Sequence, residues 1–228
     1  MTENACQAGI KEPGMSVEAY VKNKQAAGSN YDAALQKAAG LFSEQLDDNF
    51  TLKSGFTSDG EYIHAGLFHR NYRISRRSGR VERLDGNAVF PAAYNPSMVL
   101  YDLIAYSAPN AKASGEYIQL QNHSQVHNVH SFAGEGAFDK YARLFSGHGA
   151  ELERICVELG GVPFGKGDVS QALPYFGNLR IGISFWDADD EFPPSFSVFF
   201  DKNADKFMHY ETMWYAAGDL LSEIAGKL

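Results

Sequence analysis

The chain has 228 residues, of which 44% are hydrophobic and 21% are charged, and its formal net charge is −8. Such a composition is typical of a folded globular protein and excludes an intrinsically disordered chain. The net negative charge would repel phosphate backbones, so we expect no nucleic-acid partner.

Neither a membrane span nor a secretory signal is predicted, because no run of about 18 apolar residues occurs and residues 1–14 are polar. Two cysteines, Cys6 and Cys156, are too few for a disulfide framework. We therefore expect a cytoplasmic protein without a membrane partner. Residues 1–13 lack periodicity and predict a flexible leader, whereas residues 14–228 contain no linker or internal repeat and predict one domain.

The first half of that domain is predicted to hold a helix, a strand meander and a second helix. Ser29 or Asn30 can cap the first helix, because apolar residues recur at helical spacing after them. The meander strands are predicted over residues 62–68, 71–74 and 81–84. Asn95-Pro96 predicts the start of the second helix, since Asn caps helices and Pro suits their first position.

The second half continues with strands and helices in blocks rather than in strict alternation. The patterns predict a strand over 117–121, helices from about 138 and 152, strands over 179–186 and 195–200, and a helix around 213–224. An acidic, Pro-containing segment joins the last two strands, so we expect them to pair. This order predicts an α+β fold, a single domain with a mainly antiparallel sheet and flanking helices.

Three histidines form one candidate metal site. His123, His127 and His130 are spaced so that a helix would place all three imidazoles on one face, where they could bind a metal or a tetrapyrrole. Their neighbours are weak helix formers, and in an extended chain His130 would point away from the other two. The alternative interpretation is a polar loop with incidental histidines.

A second candidate site follows the strand over 179–186. Trp186 and Phe192 bracket four carboxylates, among them Asp189, Asp190 and Glu191. Like charges this close need solvent, a cation or donors from elsewhere in the fold, so at least one should meet such a partner, while we predict that both aromatic rings are largely buried. The segment is interpreted as a solvated acidic turn, a hard-cation site, or a pair of catalytic carboxylates with raised pKa.

This acidic segment also carries a family resemblance. The matching residues are Trp186 to Pro193 (WDADDEFP), Val198-Phe199-Phe200-Asp201 and Glu211, preceded in the expected order by Ser54-Gly55, Tyr72, Leu100-Tyr101, Leu159-Gly160-Gly161 and Gly167-Asp168. On these motifs the chain resembles the DUF3786 family of mainly anaerobic bacteria and archaea, over roughly residues 30–228. The resemblance implies an association with corrinoid or one-carbon metabolism, and the histidine cluster falls outside its pattern.

Three functions are therefore weighed. The first is a cofactor or small-ligand binding protein of anaerobic metabolism, with a pocket near Trp186 to Pro193 and a corrinoid or related tetrapyrrole as the favoured ligand, because aromatic surface beside fixed polar groups is typical of a ligand cleft. The second is an enzyme that uses the acidic residues 187–191 for acid–base or metal-assisted chemistry. The third is an accessory subunit that binds a protein partner.

Overall fold

A computed structural model describes residues 30–53, 55–123 and 138–228 of the chain. Those residues form five α-helices and ten strands, and the strands make two five-stranded antiparallel sheets. The predicted α+β class and antiparallel pairing are confirmed, although the strands divide between two sheets. The predicted leader, residues 1–13, lies outside the described residues.

The five helices are α1 (Asn30–Gln45), α2 (Tyr94–Tyr106), α3 (Asp139–Phe145), α4 (Gly149–Glu158) and α5 (Tyr210–Ala225). Helix α2 follows an extended Ala93 without a side-chain cap, so the predicted cap by Asn95 is wrong, and Asn95 lies within the first turn instead. None of the described helices has the length and apolar character needed to cross a bilayer.

The first sheet is a meander of consecutive strands, as the turn signals predict. It contains β1 (Phe56–Ser58), β2 (Tyr62–Leu67), β3 (Arg70–Ser75), β4 (Val81–Asp85) and β5 (Ala88–Pro91), in that spatial order. The short edge strands β1 and β5 were not predicted. The turn between β2 and β3 places Phe68 and His69 at φ angles of 43° and 61°, a left-handed conformation that residues other than glycine rarely adopt.

The second sheet contains β6 (Tyr117–Gln119), β7 (Val162–Pro163), β8 (Val169–Phe176), β9 (Leu179–Trp186) and β10 (Ser195–Asp201), in the order β6-β10-β9-β8-β7. Strands β9 and β10 pair antiparallel, as predicted, with Trp186 opposite Ser195. Strand β8 was not predicted, and it contains Pro174, a residue that is rare inside a central strand. The register between β8 and β9 shifts between Pro174 and Phe176, and this irregularity accommodates the proline.

One continuous hydrophobic cluster joins the two sheets to helices α2, α4 and α5. Where the sheets meet, the rings of Phe56 and Phe176 lie 5.2 Å apart, and the Phe68 N–H donates to the Tyr175 carbonyl over 2.8 Å. Residues along β9 alternate, so Phe185 is fully buried against α3 while Trp186 points to the opposite, outer face of the sheet.

Candidate functional site

The two aromatic residues that bracket the acidic segment are exposed. Trp186 retains 49% of its accessible surface and Phe192 retains 65%, so the prediction that both rings are largely buried is wrong. The physical reason is the two-residue period of a strand: Phe185 occupies the inner face, which directs Trp186 outward. Opposite Trp186 stands only the small side chain of Ser195, which leaves one side of the indole uncovered.

The acidic segment forms a turn that its own backbone closes. The Asp189 Oδ1 accepts hydrogen bonds from the N–H groups of Glu191 and Phe192, over 2.8 and 2.7 Å, and the Asp189 N–H donates to the Phe192 carbonyl over 3.1 Å. This confirms that at least one of the carboxylates meets backbone donors. The side chains of Asp190 and Glu191 are exposed.

Asp187 anchors the start of the turn to the chain before α4. Its carboxylate accepts from the Ser146 hydroxyl over 2.8 Å and from the Gly147 N–H over 2.9 Å, and its own N–H donates to Asp168 over 2.7 Å. The Ser146 and Gly147 donors stabilise the charged form and hold the pKa of Asp187 below its usual value. A lowered pKa suits a fixed negative charge rather than a proton donor.

The outer surface of β9 and β10 beyond Trp186 combines small and aromatic side chains. Ser184 and Ser197 pair across the two strands beside Trp186, and the Gln119 amide donates to the Ser197 hydroxyl over 3.3 Å. We call this surface, from Trp186 to Gly182 on β9 with its partners on β10, the motif face. Its ends are four residue steps apart along β9, which corresponds to about 13 Å of strand.

An aromatic cluster closes the far end of the motif face. The Phe164 ring covers Gly182 and lies 5.2 Å from the ring of Phe199 and 4.6 Å from that of Tyr117. A Cβ at Gly182 would come within 2.9 Å of the Phe164 ring, so this packing requires glycine. Between these rings and Trp186, Ser184 is buried and its hydroxyl donates to the Lys166 carbonyl over 2.5 Å, so the exposed part of the motif face is its Trp186 end.

The structure describes one of the three histidines of the predicted metal site. His123 follows a short 3-10 turn, Leu120–Asn122, and its Nε2 lies 3.3 Å from the Phe200 carbonyl oxygen. His127 and His130 lie outside the described residues, so their joint site stays a prediction. Within residues 30–53, 55–123 and 138–228, no three His, Cys, Asp or Glu side chains are grouped to hold a metal ion.

Other residues of the resemblance hold loops and helices in place. Asp201 is buried and accepts from the Ser114 and Gly115 N–H groups over 2.9 and 2.7 Å. The Tyr101 hydroxyl donates to the Gly79 carbonyl over 2.7 Å, and Glu211 accepts from a tyrosine hydroxyl one helical turn further along α5. These contacts give the three residues structural roles.

Sequence reasoning missed a buried ion cluster where both sheets meet α5. Arg70 on β3 donates to Asp219 on α5 over 2.5 Å, and the Tyr175 hydroxyl on β8 donates to the same carboxylate over 3.1 Å. Glu223 lies 3.5 Å from the guanidinium on its other side. A signal was present, because Asp219 falls among the apolar side chains of α5 that face the core.

Burial controls the titration of this cluster. It raises the pKa of Asp219 above its usual value, although the adjacent Arg70 guanidinium and the Tyr175 hydroxyl act in the opposite direction. It also raises the pKa of Tyr175 well above the usual value. The Arg70 Nε is buried and has no hydrogen-bond partner among the residues that the structure describes. The side chains of the cluster are largely buried and pair with one another, so we assign the cluster to stability rather than to binding.

Comparisons with known proteins identify a family but no named relative. No curated protein and no solved structure matches the chain. A family model described as a domain of unknown function, DUF3786, matches residues 48–222, which include the first sheet, the motif face and most of α5. The match covers well over half of the chain, and the chain therefore belongs to the DUF3786 family.

Proposed function

We propose that this chain binds a small ligand or cofactor with a flat ring system on the motif face, and that a corrinoid or related tetrapyrrole is the favoured ligand. The observation that carries the proposal is the exposure of Trp186 and Phe192, at 49% and 65%, on an ordered turn. Aromatic rings held at a surface present a large apolar area that a flat ligand can cover.

The turn supports binding because it is already ordered. The backbone hydrogen bonds of Asp189 and the anchoring of Asp187 hold the chain between Trp186 and Phe192 in one conformation. Fixed aromatic groups lose little conformational entropy when a ligand arrives, which favours affinity. Next to Trp186, the small and exposed side chain of Ser195 leaves one side of the indole open to a ring system.

Charge favours one class of macrocycle over another. The exposed carboxylates of Asp190 and Glu191 would accept hydrogen bonds from the peripheral amides of a corrinoid. The same carboxylates would repel the peripheral carboxylates of a porphyrin such as haemin. The acidic turn therefore supports a neutral, amide-bearing ring as the ligand.

The enzyme alternative has less geometric support. Asp187 has a lowered pKa, and Asp189 accepts from its own backbone, so neither is arranged as an acid with a raised pKa. The partner-binding alternative would use the same exposed rings of Trp186 and Phe192. It differs in its prediction, because a protein partner gives no reason for saturable binding of a macrocycle.

Hydroxocobalamin is the first probe. The chain has two tryptophans, so a Trp214→Phe variant leaves Trp186 as the only indole emitter. We expect saturable quenching of its fluorescence, and retention of the corrinoid by the protein in equilibrium dialysis followed by visible absorption. Dialysis serves as the control for light absorbed by free corrinoid.

Two further variants define the outcome. Trp186→Ala should abolish retention in dialysis, and Asp190→Asn with Glu191→Gln should weaken hydroxocobalamin binding while it strengthens haemin binding. Equal retention by wild type and Trp186→Ala would refute the assigned surface. No retention of any macrocycle by the wild type would leave the partner-binding alternative ahead, and metal analysis of the same sample tests the enzyme alternative.

A further inference from the structure

A groove of about 480 Å³ lies on the outer face of the first sheet, which the proposed function does not use. Its lining residues include Thr57, His64, Gly66, Asn71 and Leu84. They come from strands β1 to β4 and lie on one face of the sheet. Thr57 pairs with His64, and Asn71 pairs with Gly66 on one side and with Leu84 on the other. The volume lies within the usual range for a small-molecule site.

The imidazole of His64 is held in position by Asp59. The Nε2 of His64 lies 2.9 Å from the Asp59 Oδ2, while the Asp59 Oδ1 accepts from the N–H groups of Glu61 and Tyr62 over 3.0 and 2.8 Å. The His64 side chain and these two backbone donors lower the pKa of Asp59 to about 2. The carboxylate therefore orients the ring and leaves the Nδ1 for a ligand.

The charged groups beside the groove already have partners. The Asp59 carboxylate is occupied by His64 and by two backbone N–H groups, and Arg73, opposite His64, is paired with Glu82 over 2.8 Å. A charged ligand would lose hydration here without gaining a free counter-charge. A neutral ligand with several hydrogen-bonding groups would meet the Thr57 hydroxyl, the Asn71 amide and the imidazole, and it could lay an apolar face on Leu84.

From this combination we infer that the groove binds a neutral, polyhydroxylated ring molecule of about monosaccharide size. The ring hydroxyls pair with Thr57, His64 and Asn71, and the C–H face of the ring packs on Leu84. The floor is Gly66, where a side chain would occupy the volume that the ligand needs. This site lies on a different sheet from Trp186 and does not depend on the motif face.

Gly66 also provides the test variant. A Cβ at this position would meet only the Arg70 carbonyl oxygen, at 3.9 Å, and the residue is in a strand, so Gly66→Val should fold while it fills the floor. The matched control is Gly40→Ala, because a Cβ at Gly40 meets nothing within 4 Å on helix α1. Thermal unfolding of both variants verifies that they fold.

Binding is measured on the full chain by amide and histidine-ring NMR shifts. The neutral probes are D-glucose, D-galactose, D-ribose and myo-inositol, and the charged comparators are glucose 6-phosphate, glucuronate and glucosamine. We expect at least one neutral probe to give saturable shifts at residues 55–57, 64–66, 71 and 84–86, with affinity about tenfold above its charged comparators. Gly66→Val should lose these shifts, and Gly40→Ala and Trp186→Ala should keep them.

Three results would overturn the inference. The first is the absence of saturable shifts at these residues with every neutral probe. The second is a charged comparator that binds as tightly as the neutral probes, because the pairing of the charged groups at the groove then plays no part. The third is unchanged binding by folded Gly66→Val, which would place the ligand outside the groove.

Discussion

The ion cluster around Asp219 and the turn that begins at Asp187 use the same side chain in opposite environments. Asp219 lies in the core, and burial raises its pKa against the effect of Arg70. Asp187 lies near the surface, and hydrogen bonds from Ser146 and Gly147 lower its pKa. The comparison teaches that the position of a carboxylate relative to the core decides whether desolvation or hydrogen bonding dominates.

The two regions also differ in role, because the Asp219 cluster stabilises the fold and the turn after β9 carries the proposed binding surface. The Asp219 cluster connects β3, β8 and α5, so it holds both sheets to the last helix, and its side chains are largely buried. The turn after β9 exposes Trp186 and Phe192 and contributes little to the core. Substitutions in the cluster should therefore affect folding, and substitutions in the turn should affect binding.

Asp219→Ala should produce the largest effect. It leaves Arg70 buried with only the more distant Glu223 as a counter-charge, and removing one partner of a buried pair costs about 3–5 kcal/mol of unfolding free energy. Urea unfolding followed by circular dichroism measures this loss. Asp219→Asn is the control, since it keeps an acceptor for one donor and should lose less. A loss below about 1 kcal/mol for Asp219→Ala would contradict a structural role for the cluster.

Trp186→Ala should lower the unfolding free energy by only about 1–2 kcal/mol, because half of the indole is already in solvent and a fully buried aromatic ring is worth about 3–5 kcal/mol. Phe185→Ala, one residue away on the buried face, is the matched control and should reach that larger value. The same urea series measures both. Equal losses for the two variants would show that the outer face of β9 is covered.

The pH dependence of stability should have opposite signs at the two aspartates. Because the folded pKa of Asp219 is above its unfolded value of 3.8, its contribution is largest below pH 3.8 and declines as pH rises through the folded pKa. The folded pKa of Asp187 is below 3.8, so its contribution is present above pH 3.8 and declines as pH falls.

Unfolding of wild type, Asp219→Asn and Asp187→Asn across this pH range tests the comparison. As pH rises above 3.8, the unfolding free energy of wild type should fall relative to that of Asp219→Asn, whose amide does not titrate. The difference between wild type and Asp187→Asn should shrink as pH falls below 3.8. If both differences in unfolding free energy changed in the same direction with pH, the two carboxylates would share one kind of environment.

Much of the secondary structure could be predicted because its signals are local. The β2–β4 meander, the β9–β10 pair and helix α5 follow from residue spacing and turn residues that lie next to one another in the chain. The acidic turn could be predicted for the same reason, since it is one continuous segment. The metal site predicted at the three histidines remains a prediction, because the two companions of His123 lie outside the described residues.

Strand β8 shows where local signals failed. It was not predicted, and its Pro174 lies where the register against β9 shifts and beyond the residues that pair with β7. The groove on the first sheet was also invisible to local patterns, because Thr57, Gly66 and Leu84 come together only when the strands pair. Pairing between strands sets such neighbours, and one strand alone does not specify its partner.

The sequence by itself determined the α+β class, the antiparallel pairing and the acidic turn, because periodicity and turn chemistry act over a few residues. Only the tertiary structure decided which ring is buried at the end of β9, since strand alternation directs Phe185 and Trp186 to opposite faces but does not say which face the core covers. It alone also joined Arg70 to Asp219 across 149 residues of chain. That contact exists because burial makes an unpaired charge costly, and burial is a property of the whole fold.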